Sequence, residues 1–177
     1  MLADEVTPAP QISELKTRSG ATLAVRPVTL ADEPLLEEFF DRVSDEDRRF
    51  RFLSAHKHLD HRILAPMIEV DHFRTESFIA FDEATGVVVG HAMLACDNPL
   101  DTGEIAISVC GNWRGKGVGW ALLDVLAQAA QHRGLRRVIS IEDRENHAAI
   151  ELEREKGFVP HGVDGDPHLV MLEKVLR

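Results

Sequence analysis

Residues 114–119 read RGKGVG and combine glycines with basic side chains in a pattern suited to phosphate binding. Glycines at alternating positions allow a tight turn and leave backbone N–H groups uncovered. At the start of a helix these donors are unpaired and the helix dipole is positive, so such a turn binds a phosphate or pyrophosphate. Arg114 and Lys116 add charge of the matching sign. An ordinary strand-to-helix turn is the alternative that the residues leave open.

Two common nucleotide-binding loops do not match this segment. A P-loop needs Ser or Thr after its Gly-Lys pair and another glycine five positions before that pair. Here Gly117 follows the pair, and Cys110 stands at the earlier position. A dinucleotide-binding GxGxxG loop that starts at Gly115 would need glycine where Trp120 stands. The segment therefore belongs to neither of these two kinds of site.

Periodicity predicts the elements that must position this segment. It leads into a helix over residues 115–133, with Gly134 as the C-terminal stop. Alternating runs predict strands, and capping signals predict shorter helices. The order of elements is neither a strict βαβ alternation nor a helical bundle, so we expect an α+β domain with a mixed sheet. The strands cover residues 21–28, 77–81, 87–95, 104–110, 137–141, 158–163 and 169–175, and the other helices cover residues 32–40, 44–52, 62–69 and 146–156.

Length and composition limit the class of protein. The chain has 177 residues, 44% hydrophobic and 28% charged, which suits a globular fold. We expect a mobile tail at residues 1–11 and one domain at residues 12–177. No apolar run is long enough to span a bilayer and the N-terminus lacks a secretory signal, so we expect no membrane partner. Cys96 and Cys110 form no CxxC motif, which suits a reducing cytoplasm.

The formal charge of −10 bears on partners. An acidic surface repels a phosphate backbone, so we expect no nucleic-acid partner. It attracts cationic groups such as lysine side chains or small amines. Solubility alone is the other explanation of this charge.

Residues 114–158 resemble the two motifs of the GNAT acyltransferase superfamily. The first motif is Arg or Gln, two residues, Gly, one residue, then Gly or Ala; it fits Arg114, Gly117 and Gly119. The second motif, NxxAxxLYxxxGF, has Glu153 at its Tyr position and otherwise fits Asn146, Ala149, Leu152, Gly157 and Phe158. The resemblance extends over residues 22–176. Residues 25–52 are also similar to acetyltransferase domains of bacterial protein-lysine acetyltransferases.

The resemblance implies a GNAT-like fold, in which helices flank a mixed sheet of six to seven strands. A cleft for acetyl-CoA would lie between two splayed central strands, and no metal is implied. A bulge near residues 107–109 would expose backbone groups to the pantetheine and the thioester, residues 115–120 would hold the pyrophosphate, and Asn146 would face the pantetheine arm. The implied cofactor-binding residues are Ile107, Ser108, Val109, Arg114, Gly115, Lys116, Gly117, Val118, Gly119, Trp120 and Asn146.

The implied activity is transfer of an acetyl group from acetyl-CoA to an amine, directly and in a ternary complex. The resemblance favours a protein lysine as acceptor, for example a lysine of an acyl-CoA synthetase. A small amine or amino sugar is the alternative acceptor. A catalytically silent module that binds acyl-CoA is the alternative of a different class.

Glu104 is the expected catalytic base. A free amine is mostly protonated at neutral pH, so its attack on a thioester needs a group that removes the proton. The run Glu104-Ile105-Ala106 resembles the Glu-x-Ala setting that has this role in lysine-acetyltransferase relatives. Glu142, at the end of the next strand, is the alternative base. A merely solvated Glu104 also stays open.

The general acid of many GNAT enzymes has no counterpart in this chain. Those enzymes place a Tyr at the position of Glu153 to protonate the departing thiolate, and this chain contains no Tyr. An ionised carboxylate has the wrong sign for that task, unless burial keeps it protonated. A thiol has a pKa of about 8.5, so the thiolate needs little help. We therefore expect Glu153 to be a bystander.

Three other groups have chemistry of their own. The HxHxxH spacing of His56, His58 and His61 matches no regular zinc motif, so we expect no metal there. Cys110 is expected to be a small buried residue rather than an acyl-enzyme nucleophile, since direct transfer is the rule in the family. We expect Arg48, Arg49 and Arg51 to form an exposed helix face, or alternatively a substrate-side patch.

Overall fold

The computed structural model describes residues 12–177, and the predicted tail at residues 1–11 lies outside them. Within the described residues eight strands form one sheet, and five α-helices pack on it. The strands are β1 (Ser13–Lys16), β2 (Thr22–Pro27), β3 (Thr75–Asp82), β4 (Val88–Cys96), β5 (Thr102–Val109), β6 (Arg137–Asp143), β7 (Val159–Val163) and β8 (Asp166–Val175). The helices are α1 (Glu33–Arg42), α2 (Asp45–Phe52), α3 (His61–Ile68), α4 (Val118–His132) and α5 (His147–Glu155).

The sheet is mixed, which confirms the predicted fold class. Its strand order is β1-β2-β3-β4-β5-β6-β8-β7, and the pairs are antiparallel except for β5 with β6. The count of eight exceeds the expected six to seven because β1 was not predicted. β1 reads SELK, with one apolar residue, so it carries no alternating pattern and is defined by its pairing with β2.

Helices cover both faces of the sheet. On one face α4 buries Leu122 and Leu126 against β4 and β5. On the other face α1 buries Phe39 and Phe40 together with residues of α3. Each fully buried side chain of this kind contributes about 1.5–3 kcal/mol relative to exposure. The sheet is therefore held rigid from both sides, and its strands are fixed supports for the groups of the site.

The two central strands diverge. Pairing of β5 with β6 ends at Glu104 and Ile139, although β5 continues to Val109 and β6 to Asp143. On its other edge, β6 pairs with β8 along its whole length. A V-shaped gap therefore opens between β5 and β6, as the resemblance implied.

Candidate active site

A cleft of about 780 Å³ occupies the gap between β5 and β6. Its lining comes from β5, the loop before α4, the first turn of α4, α5 and, on the other side, α2. Of the site residues expected from the sequence, all except Lys116 line it. The Nζ of Lys116 lies instead over the ring of Trp113, 4.8 Å from its centroid. The cleft is also lined by Arg18, Asp47, Phe50 and Leu53, which were not assigned from the sequence.

Among residues 12–177, the edge of β5 that faces the gap has no strand partner beyond Glu104, so it carries unpaired backbone groups. Pairing with β4 shows no register shift along this strand, so the bulge expected near residues 107–109 is wrong. The N–H of Cys110 donates to the carbonyl of Val89 at 2.9 Å, and alternate residues of an antiparallel pair direct these groups to opposite sides. The backbone groups of Ile107 and Val109 therefore point into the gap. Divergence of β6, rather than a bulge, leaves them free.

The loop before α4 has the geometry of an anion site. Gly115 and Gly117 have φ values of 75° and 86°, a left-handed conformation that glycine adopts without steric cost. Because this conformation cannot belong to a right-handed helix, α4 begins at Val118 and not at residue 115. The first helical hydrogen bond runs from the N–H of Ala121 to the carbonyl of Gly117 at 3.1 Å. No helical partner is therefore available, at the positive end of the dipole, to the N–H groups of Val118, Gly119 and Trp120.

The turn between β1 and β2 supports this loop. The Oγ of Ser19 donates to the carbonyl of Lys116 at 2.7 Å. The guanidinium of Arg18 lies 4.0 Å from the ring centroid of Trp120, and the Nζ of Lys156 lies 3.8 Å from the same centroid. Arg18 therefore reaches the end of the cleft at the start of α4 from a part of the chain that lies outside both motifs.

Glu104 lies at the point where β5 and β6 diverge. It is the last β5 residue paired with β6, and its exposed side chain lines the cleft. Side chains alternate along a strand, so Glu104 shares a face with Ala106 and Ser108. Arg51 of α2 approaches this face, and one of its terminal nitrogens lies 3.9 Å from the Sδ of Met93. Glu104 is thus an accessible carboxylate at the inner end of the cleft, on the side covered by α2.

The three arginines of α2 differ in their burial and in their contacts. Arg51 lines the cleft, and burial lowers the pKa of its guanidinium against the opposing effect of Glu104 and Glu142. Arg48 is buried and donates to the carbonyl oxygens of Phe40 and Val43 at 2.9 and 3.1 Å, so it joins α2 to the end of α1. Arg49 alone of the three is exposed. The expected exposed face is therefore wrong for Arg48 and Arg51.

A buried polar group lies near Arg51 in the floor of the cleft. Ser108 is paired with His91 of β4, and the Nε2 of His91 lies 2.7 Å from the Oγ of Ser77. Burial, with a smaller effect of Arg51, lowers the pKa of His91 to about 3, so its imidazole is neutral at pH 7. Within residues 12–177, no hydrogen-bond partner is found for His91 Nδ1 or Ser108 Oγ.

Acidic side chains lie close together on the other face of the sheet, beside α5. The Oγ of Ser140 lies 2.8 Å from an oxygen of Glu142 and 2.8 Å from an oxygen of Glu153. Asn146 caps α5 and donates through Nδ2 to Glu142 at 3.3 Å. Burial, strengthened by Glu142, raises the pKa of Glu153 to about 9. Glu153 is therefore neutral at pH 7. In this state its carboxyl carries a proton and can act as an acid.

The remaining candidates from the sequence lie away from this chemistry. Cys110 is buried in the core beside α1, and its Sγ donates to the side chain of Asn112 at 2.9 Å. His58 and His61 pair with acidic residues of α1. Over residues 12–177 no group of three His, Cys, Asp or Glu side chains has the arrangement of a metal site. In the same part of the chain no helix has the length and apolarity needed to cross a membrane.

Comparison with known proteins agrees with the geometry. Residues 35–158 match the family model described as acetyltransferase (GNAT) family. An acetyltransferase of Pseudomonas aeruginosa is 26% identical over 142 residues, which cover 79% of this chain and 76% of that protein. The GNAT domain of S. lividans PAT is 25% identical with a TM-score of 0.86, over 93% of this chain and 97% of that one.

A cAMP-binding acyltransferase from Mycobacterium smegmatis shares the fold at a TM-score of 0.65 and 22% identity. The match covers 95% of this chain but 48% of that protein. The family match spans well over half of the chain and contains both motifs, the diverging strands and Glu104. The chain therefore belongs to the acetyltransferase (GNAT) family and is an acetyl-CoA-dependent N-acetyltransferase.

Proposed function

We propose that this enzyme, acting as one domain over residues 12–177, acetylates a protein lysine by direct transfer while acetyl-CoA and the lysine are bound together. The arrangement of the cleft carries this proposal. Unpaired N–H groups at the start of α4 mark one end, Glu104 marks the other, and the free edge of β5 joins them. A ligand with a phosphate group at one end and a reactive carbonyl at the other fits these features in order.

The residues of the cleft supply three contributions to the reaction. Glu104 accepts the amine proton, either directly or through a water. The free N–H groups of Ile107 and Val109 are donors for a carbonyl oxygen that gains negative charge. The walls hold both reactants in one orientation, which replaces a bimolecular encounter by an intramolecular step.

A lysine acceptor is supported by charge and by similarity. Glu104 and Glu142 line the cleft of a chain with a formal charge of −10, and carboxylates in the cleft attract an ammonium group. Residues 25–52 resemble protein-lysine acetyltransferases, and the fold matches the GNAT domain of S. lividans PAT over 93% of the chain. The proposed partner is a lysine of an acyl-CoA synthetase, and the proposed location is the cytoplasm.

An acceptor screen tests this function. Thiol release from acetyl-CoA is followed with acyl-CoA synthetases, lysine peptides, small amines and amino sugars, and mass spectrometry locates the acetyl group. We expect acetylation of a synthetase lysine in preference to the small acceptors. A preference for a small amine or amino sugar would show that this compound, and not a protein lysine, is the acceptor. Binding of acetyl-CoA without thiol release for any amine would instead identify a silent acyl-CoA-binding module.

A further inference from the structure

Two glutamates flank the inner end of the cleft from opposite faces of the sheet. Glu104 lies on the face covered by α2, and Glu153 of α5 lies against the other face, beside Ser140. Ser140 directly follows Ile139, the partner of Glu104 across the β5–β6 pair. One strand residue spans roughly 3.3 Å, so Ser140 and Glu104 are at nearly the same height in the cleft. A substrate in the gap between the strands therefore passes between the two glutamates.

The contacts of Ser140 indicate a proton on the buried acidic pair. Its Oγ lies 2.8 Å from an oxygen of Glu142 and 2.8 Å from an oxygen of Glu153, but a hydroxyl has one hydrogen to donate. Both contacts are hydrogen bonds only when one carboxyl is protonated and donates to Ser140 in return. Repulsion between two adjacent carboxylates favours the same state.

The surroundings place this proton on Glu153. Glu142 has a second donor, because the Nδ2 of Asn146 lies 3.3 Å from its other oxygen. Glu153 is buried, and its Oε2 finds no hydrogen-bond partner anywhere in residues 12–177. A buried carboxyl with an oxygen that receives no donor favours its neutral form, in line with the raised pKa of this group. Arg51 adds positive charge near Glu142 from the α2 side.

Resting on the proposed function, we propose that Glu153 is the general acid that protonates the departing thiolate, while Glu104 serves as the base. When the C–S bond breaks, the sulfur keeps the electron pair, and the carboxyl of Glu153 turns its proton from Ser140 to the sulfur and becomes a carboxylate. Ser140 then turns its hydroxyl toward this carboxylate. A proton from solvent returns through Glu142, which is half-exposed, and restores the acid. This assignment replaces the expectation that Glu153 is a bystander.

Kinetics of Glu153→Gln test the assignment. The amide keeps the shape but has no acidic proton, so kcat should fall by about 10²–10⁴-fold, with the CoA dissociation constant unchanged within about twofold. The wild-type kcat should decline as pH rises past about 9, the pKa of Glu153, and the variant should lack this decline. The matched control is Glu151→Gln, at an exposed position of the same helix, which should keep wild-type kcat within about twofold.

A kcat of Glu153→Gln within threefold of the wild type would overturn the acid role while leaving the transferase function intact. A wild type that releases no thiol with any amine would overturn both proposals. Should Glu153→Gln not fold, ¹³C NMR titration of the glutamate carboxyls in the wild type gives a second measurement. A glutamate that titrates near pH 9, absent from the spectra of Glu153→Ala, is expected. Titration of every glutamate below about pH 6 would refute the assignment.

Discussion

A glutamate is ionised, and so available as a base, when solvent and donors stabilise its charge; it keeps a proton that it can later donate when burial removes them. Glu104 and Glu153 lie in these two kinds of surroundings within one cleft. Glu104 is exposed at the point where β5 and β6 part, whereas Glu153 is buried beside a second carboxyl. The residue type was visible in the sequence, but burial depends on α5 packing over Ser140, which no local pattern encodes.

The proposed base predicts the effect of Glu104→Gln. The amide preserves size but cannot accept the amine proton, so turnover at neutral pH should fall by about 10²–10⁴-fold. CoA affinity, measured by calorimetry, should barely change because the phosphate end of the cleft is untouched. Glu14→Gln, at an exposed position of β1, is the control. Unaltered turnover in Glu104→Gln, with a loss in Glu142→Gln, would move the role to Glu142.

The buried acid predicts the pH dependence of stability. Folding raises the pKa of Glu153 from 4.5 to about 9, so between these values the native state holds a proton that the unfolded chain has released. The free energy of unfolding therefore falls as pH rises through this window, by about 1.4 kcal/mol per pH unit. Urea unfolding at pH 7 and pH 8 should show this loss in the wild type and a smaller one in Glu153→Gln. Equal losses in both proteins would contradict the raised pKa.

At the scale of elements, the sequence predicted features that depend on neighbouring residues, but it did not predict which strands pair. The helical period of α4 and the glycines before it depend on neighbouring residues, so the sequence alone placed the loop and the helix. The state of β1 depends on β2, and the opening of the cleft depends on where the pairing of β5 with β6 ends. The spacing of Arg48 and Arg51 puts both on one side of α2. That this side faces the protein follows from tertiary packing alone.

The loop predicts a matched pair of glycine variants. Gly115 and Gly86 both have positive φ, and a Cβ at either meets nothing within 4 Å, so Gly→Glu costs similar backbone strain at each. Gly115 lines the cleft at the start of α4, whereas Gly86 lies in the β3–β4 turn. Gly115→Glu should abolish CoA binding in calorimetry, because a carboxylate would occupy the place of a phosphate. Gly86→Glu should bind like the wild type, and equal affinity of both variants would refute the loop as the phosphate site.

The net negative charge of the whole molecule disfavours the binding of CoA, which is itself an anion. A chain with a formal charge of −10 repels the phosphates of CoA, so binding depends on groups that concentrate positive charge locally. Arg18 at Trp120, Arg114 in the cleft and the start of α4 supply this charge. Arg114 was recognisable from its motif. Arg18 was not, since only the fold brings the β1–β2 turn to the loop.

Ligand binding should stabilise the whole protein. CoA that binds the native state alone stabilises it by about 2.7 kcal/mol at a hundred times its dissociation constant. A chain of 177 residues gains roughly 2–4 °C of melting temperature per kcal/mol, which gives about 5–10 °C. Calorimetry sets the dissociation constant, and thermal unfolding with and without CoA measures the shift. Gly115→Glu should show no shift and Gly86→Glu the full shift. A wild type that does not respond to saturating CoA or acetyl-CoA would show that the cleft does not hold this ligand, because stabilisation follows from binding whatever the acceptor is.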